Sequence, residues 1–209
     1  MKTLKTLLSS TLTAVLLSAT VLTSNAAEVI VSPTAMSVAN PDIKKIIVTG
    51  NTRVFIVQNN REWVSMNDED LSKVSVKQVG HTLTISSSEH NPVEVTVYVK
   101  DIYRIDASNT ASVKTVGKLN MKFLQVMLRD NATARIKTNT ESLYTAIDGH
   151  ANLELLGATA KHIVKTKGRA VLKADKFAAL TTSSESIDAD VAMNAELANA
   201  ELIVRSLSK

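Results

Sequence analysis

The chain has 209 residues, 44% of them hydrophobic, yet it carries only three Phe, three Tyr and one Trp, and no Cys. Those numbers exclude a disulfide scaffold and a core packed around large rings, and leave one substantial domain with an aliphatic interior. The formal charge is +4; setting aside Lys2 and Lys5 leaves +2, and no dense Lys/Arg cluster interleaved with aromatics is present, so nucleic acid is not expected as a partner.

Residues 1–26 read as a secretory signal peptide. Lys2 and Lys5 precede an apolar stretch from Leu7 to Leu22, and Ser24-Asn25-Ala26 supplies small residues for cleavage. Ser9, Ser10, Thr11, Thr13, Ser18 and Thr20 dilute that stretch below what a membrane span needs. No second stretch is long enough to span, so the mature chain is expected to be exported to the periplasm, cell surface or extracellular space without a transmembrane segment. Residues 27–42, with Pro33 and Pro41, read as a linker.

One domain is expected over residues 43–209, in three parts. Residues 43–100 alternate apolar and polar positions at Val54/Ile56, Val74/Val76, Leu83/Ile85 and Val93/Val95/Val97/Val99, the mark of strands with one buried face. Gly80-His81-Thr82 predicts an antiparallel hairpin between two of them. A helical turn is predicted around Asp68 to Lys73, with Asn67 or Asp68 capping it and Glu69 and Asp70 complementing its dipole.

Residues 101–197 contain five overlaid units, Ala111/Val113, Ala134/Ile136, Ala151/Leu153, Ala170/Leu172 and Ala195/Leu197, whose alanines lie 23, 17, 19 and 25 residues apart. A longer match sets Thr138 to Leu153 over Thr182 to Leu197, an offset of 44. Units this short bury an apolar face only by stacking on neighbours, which predicts a β-solenoid, with residues 43–100 as a partly antiparallel cap and residues 198–209 closing the other end. Stacking predicts an inward column Val113, Ile136, Leu153, Leu172, Leu197 and an outward row Lys114, Lys137, Glu154, Lys173, Ala198, in which Glu154 separates two lysines.

The lead-in strands, the run Val93-Glu-Val-Thr-Val-Tyr-Val-Lys, the segment Ile102-Tyr-Arg-Ile-Asp-Ala-Ser-Asn-Thr-Ala-Ser-Val, and the units Gly149-His-Ala-Asn-Leu and Gly168-Arg-Ala-Val-Leu together resemble the bacterial head GIN domain family of auto-transporter adhesins over residues 43 to 204. The resemblance implies an exported, single-stranded right-handed parallel β-helix whose function the family leaves uncharacterised, the word adhesin being an inference from architecture. It departs from the family's Ser-Gly-Ala-Ser type corner, since glycine persists only at Gly149 and Gly168 while Asn109, Ala132 and Met193 fall at or near the matching corners.

The candidate chemistry is sparse. His81, His90, His150 and His162 lack metal-ligand spacing, Asp68-Glu69-Asp70 lacks the alternation of a calcium loop, and no phosphate-binding or nucleophile motif is present, so no metal, cofactor or catalytic residue is expected. Lys114, Lys137 and Lys173 are the candidate ligand-binding residues, suited to an acidic glycan or a membrane phosphate. The expected function is therefore a non-enzymatic envelope or surface protein that binds a glycan or a protein, or acts as a scaffold. The alternative is a carbohydrate-active enzyme acting on an acidic polysaccharide, which would require Asp106, Asp130, Asp148 and Asp175 to gather in a groove.

Overall fold

A computed structural model describes residues 34–36 and 42–187. The predicted signal peptide, most of the linker, the unit Ala195/Leu197, the corner at Met193 and the closing segment 198–209 lie outside the described residues. Among the described residues, thirteen strands run in chain order as β1 Thr34–Met36, β2 Lys45–Gly50, β3 Thr52–Gln58, β4 Trp63–Met66, β5 Ser75–Val79, β6 Thr82–Ser87, β7 Val93–Val99, β8 Arg104–Ala107, β9 Ser112–Val116, β10 Leu119–Leu128, β11 Thr133–Ile147, β12 Asn152–Lys167 and β13 Val171–Ile187. Alternation is the local cause: the burial of Val93, Val95, Val97 and Val99 in β7 and of Val54 and Ile56 in β3 follows the period of two.

The fold is all-β, but it is neither the β-solenoid that the overlaid units predict nor the right-handed parallel β-helix that the family resemblance implies. All thirteen strands belong to one mixed sheet, curled as a half-barrel, with the order β1-β4-β7-β3-β9-β11-β10-β8-β2-β6-β5 and with β12 and β13 added beside β11. Antiparallel pairs are part of that same sheet: β1 with β4, β4 with β7, and β5 with β6. Similar short units report that neighbouring strands lie parallel, and they carry no information on how the sheet as a whole closes.

The curl turns at β11. Its first residues, Thr133 to Arg135, pair with β9, while the stretch from Thr138 to Ile147 pairs with β10. One wall therefore contains β4, β7, β3 and β9, the other contains β8, β2, β6 and β5, and the long strands β11 to β13 run through both. Parallel neighbours ordinarily need a long return connection. Here each long strand supplies it by passing through the two walls, so residues 148–151 suffice to join β11 to β12.

Inward side chains of both walls form one aliphatic core, with Val54, Val97 and Val113 from one wall and Ile46, Ile85 and Ile105 from the other. That core thins along the strand order. The inward column Leu124, Leu143, His162, Thr182 turns polar at β12, and its neighbour Val126, Thr145, Val164, Ser184 admits a polar residue at β11 and ends on one at β13.

The register corrects the predicted columns. Val113 lies opposite Ala134, and Ala134 opposite Leu153, so the inward column is Val113, Ala134, Leu153, Leu172, with Ile136 one step along beside Leu155. Two strands beyond Leu143 comes Thr182, an offset of 39 and not 44. The corners align as Asn109, Asp130, Gly149 and Gly168, all at positive φ. Ala132 lies two residues past the Asp130 corner and is fully buried, as are Ala111 and Ala151 two residues past theirs. Asn and Asp tolerate the left-handed region better than other side chains, which lets Asn109 and Asp130 stand where glycine stands later. The Asp130 carboxylate also accepts the Asn109 backbone N–H at 2.9 Å.

Locally encoded features match the sequence. β5 and β6 form the antiparallel hairpin, with Gly80 at φ +54 in its turn. The predicted helical turn is a short 3-10 turn, Asp68–Asp70, with Asn67 at its N-cap position but no side-chain capping bond.

Candidate functional site

The outward face of the β4, β7, β3, β9, β11, β12, β13 wall brings the candidate lysines together. One row across it reads Phe55, Lys114, Arg135, Glu154, Lys173. Lys137 is outward too, but it belongs to the next row, beside Leu156 and then Lys176. The predicted row thus holds at Lys114, Glu154 and Lys173, and Arg135 takes the place assigned to Lys137; Ala198 lies outside the described residues. Lys114, Arg135, Lys137, Lys173 and Lys176 are all exposed.

Glu154 sits between two cations, an arrangement that relieves like-charge repulsion across neighbouring strands. It pairs with Arg135 at 3.2 Å. Lys114, Lys137 and Lys173 have no ion-pair partner among the described residues. Neighbouring strands lie ~4.8 Å apart, so Lys114 and Lys173 stand about 14 Å apart at their backbones. Arg135 could have been found from sequence by aligning the corners Asn109, Asp130, Gly149 and Gly168 instead of the alanines.

The family model described as "Putative auto-transporter adhesin, head GIN domain" matches residues 42–200. The chain belongs to the head GIN domain family. Among solved structures, a "putative adhesin" from Parabacteroides distasonis ATCC 8503 is similar at 14% identity and TM-score 0.56, over 75% of this chain and 78% of that one. A "Putative lipid binding protein" from the same organism is similar at 10% identity and TM-score 0.55, over 74% and 78%. A "putative adhesin" from Parabacteroides merdae ATCC 43184 shares 13% identity at TM-score 0.53, over 74% and 77%. At these identities the likeness establishes a shared fold. No functionally curated protein matches the sequence.

In this head GIN domain only two of the carboxylates considered for catalysis share a place: Asp130 and Asp148 stand on neighbouring corners, joined by the His150 N–H donating to the Asp130 carbonyl at 2.7 Å. Asp106, 4% exposed, lies on the opposite wall, where its Oδ2 meets Lys45 Nζ at 3.1 Å and Arg104 Nε at 3.0 Å. Asp130 and Asp148 are corner residues, and Asp148 Oδ1 accepts the Gly149 backbone N–H at 2.7 Å. Asp175 lies on β13, by the irregularity in its pairing with β12. A cleft of roughly 270 Å³ on the opposite wall is lined by Met127 and Ala146 and by the charged residues Arg129, Asp148, Lys165, Lys167 and Glu185. The 2.8 Å ion pair to Glu185 raises the Lys165 pKa, so that ammonium stays charged. No helix among the described residues is long and apolar enough to cross a membrane.

The histidines divide by burial. His81 lies in the hairpin turn, where its Nδ1 pairs with the Asp42 carbonyl at 2.9 Å, and His90 and His150 are exposed. His162, which the sequence leaves unexplained, is buried: its Nε2 pairs with Thr145 Oγ1 at 3.0 Å, and its ring meets Phe177 edge-on. Burial lowers its pKa below the ordinary imidazole value of 6.5. Because the folded pKa is the lower one, the folded state binds fewer protons than the unfolded chain below about pH 6.5. Full stability is therefore expected above that pH, with loss as the pH falls through the unfolded and then the folded value. Urea midpoints measured from pH 7.5 down to pH 5 should fall for the native chain and fall less for His162→Gln; equal slopes would remove His162 as the cause.

Proposed function

We propose that the protein acts outside the cytoplasm as a non-enzymatic, adhesin-like binding module, and that its cationic wall engages an acidic polymer at the envelope or cell surface. The observation that carries this reading is the row Lys114, Arg135, Glu154 and Lys173, with Lys137 and Lys176 alongside, in which four of the five cations have no acid paired to them among the described residues and all are exposed on one sheet face. Membership of an adhesin family supports the binding role. A sheet fixes the spacing of its outward groups, so the charges are held in place before a ligand arrives and little ordering entropy remains to be lost on binding. The enzymatic alternative has less support, because Asp106, Asp130 and Asp148 are each committed to contacts within the fold.

The test compares native protein with Lys114→Glu/Lys137→Glu/Lys173→Glu for binding to acidic polysaccharide and polyphosphate at low and at raised salt, with product analysis of every polymer bound. Binding without turnover, weakened by salt and at least about tenfold weaker in the triple variant, is expected. Unchanged binding by the variant would overturn the cationic wall as the site, and turnover would overturn the non-enzymatic reading.

A further inference from the structure

The whole chain has three Phe, three Tyr and one Trp, and the sheet gathers Trp63, Tyr98 and Phe55 onto the cationic wall. Trp63 lies opposite Tyr98, Tyr98 opposite Val57, and Val57 opposite Val116, all on the outward face. Phe55 stands in the adjacent row directly beside Lys114. Trp63 and Tyr98 stack with centroids 3.7 Å apart and planes 12° apart. Val116 is 49% exposed, and Trp63, Tyr98, Phe55 and Val57 are half-buried. The strip ends at Val116, two residues on from Lys114, and the Lys137 N–H donates to the intervening Thr115 hydroxyl at 2.8 Å, so an apolar band and a cationic band share one face about 30 Å wide, seven strands at ~4.8 Å.

We infer that the ligand of this wall is an acidic polysaccharide, with its carboxylates on Lys114, Arg135, Lys137 and Lys173 and the apolar C–H faces of its sugar rings against the Trp63, Tyr98, Phe55 and Val116 strip. The inference rests on the cationic wall being the binding face. A bare polyanion has use for the lysines but none for a neighbouring aromatic band; a chain of acidic sugar rings has use for both. The Trp63–Tyr98 stack holds its rings before the ligand arrives, so docking against them costs little rotamer freedom. Aromatic side chains combine large apolar area with a polar tip, which suits a ligand that is apolar on ring faces and polar on hydroxyls.

The experiment measures Kd for polygalacturonate, inorganic polyphosphate, neutral dextran and vesicles of anionic phospholipid with native protein, the triple Lys→Glu variant and Trp63→Thr/Tyr98→Thr; Val57→Thr/Val116→Thr serves where the aromatic variant loses its fold by circular dichroism. Polygalacturonate is expected to bind at least about tenfold tighter than the other three, a difference on the order of 1.4 kcal/mol. The strip variants should weaken it by a similar factor while leaving polyphosphate nearly unchanged, and the Lys→Glu variant should weaken both. Strip variants that change neither polymer, or change both equally, overturn the polysaccharide while leaving the cationic wall standing, and so does strip-dependent preference for vesicles. Loss of neither polymer in the Lys→Glu variant overturns the wall itself.

Discussion

Gly157→Ala is expected to lower the unfolding free energy by about 3–5 kcal/mol, the range reached only when strain and a steric clash combine. Gly157 lies inside β12 at φ +106, and a Cβ there would sit 2.1 Å from the Thr138 carbonyl oxygen. That oxygen cannot retreat. Thr138 is fully buried, lies opposite Gly157 on one side and Leu119 on the other, and donates its hydroxyl to the Leu119 carbonyl at 2.9 Å. The position falls where the long strands turn between the two walls, so relief would require opening the curl. Gly80→Ala is the control. Gly80 also has positive φ, +54, but a Cβ there meets nothing within 4 Å, so only the backbone cost of about 1 kcal/mol is expected. Urea unfolding followed by the fluorescence of Trp63 reads both, and a Gly157→Ala loss no larger than that of Gly80→Ala would refute the close approach.

Replacing Lys45 and Arg104 together by Met, with Asp106 retained, is expected to cost about 3–5 kcal/mol, because it leaves a buried carboxylate without a cation. Both ion pairs converge on Asp106 Oδ2, and Oδ1 is buried with no hydrogen-bond partner among the described residues. The carboxylate is thus desolvated on one side and dependent on two cations on the other. Lys45 on β2 lies directly opposite Arg104 on β8, so the cluster joins neighbouring strands of the wall facing away from the proposed ligand. Adding Asp106→Leu to the double variant should return most of the loss, since an apolar trio no longer buries a charge. Urea midpoints of the double and triple variants make the comparison; a double variant within about 1 kcal/mol of native would show that Asp106 does not depend on its two cations.

The parts of this molecule legible in the sequence are those set by near neighbours. The hairpin around Gly80 needs a turn residue and two alternating runs, all close together in the chain, and β7 announces itself through four valines at alternate places. The register between distant strands is different. Ala132-x-Ala134 and Ala134-x-Ile136 both satisfy the pattern of a small residue followed by an inward apolar one, and sliding from one to the other by two residues keeps every side chain on its own face. Sequence parity is blind to such a slip. The backbone decides it: the Thr133 N–H donates to the Ala111 carbonyl at 2.9 Å, which puts Arg135 and not Lys137 beside Lys114. Lys137 faces outward, as parity requires, but stands one row along.

By itself the sequence determined which side chains face in and which face out, the position of the hairpin, and the family to which the chain belongs. Alternation, turn chemistry and short motifs carry these, and each is local. Only the tertiary structure decided that the strands form one curled mixed sheet, and that Phe55, Trp63 and Tyr98 share a face with Lys114, Arg135, Lys137 and Lys173. The reason is that neighbours within a sheet are chosen by interstrand hydrogen bonds, which link residues far apart in the chain. A residue's side of the sheet is written in its own segment; the residue beside it is written in another.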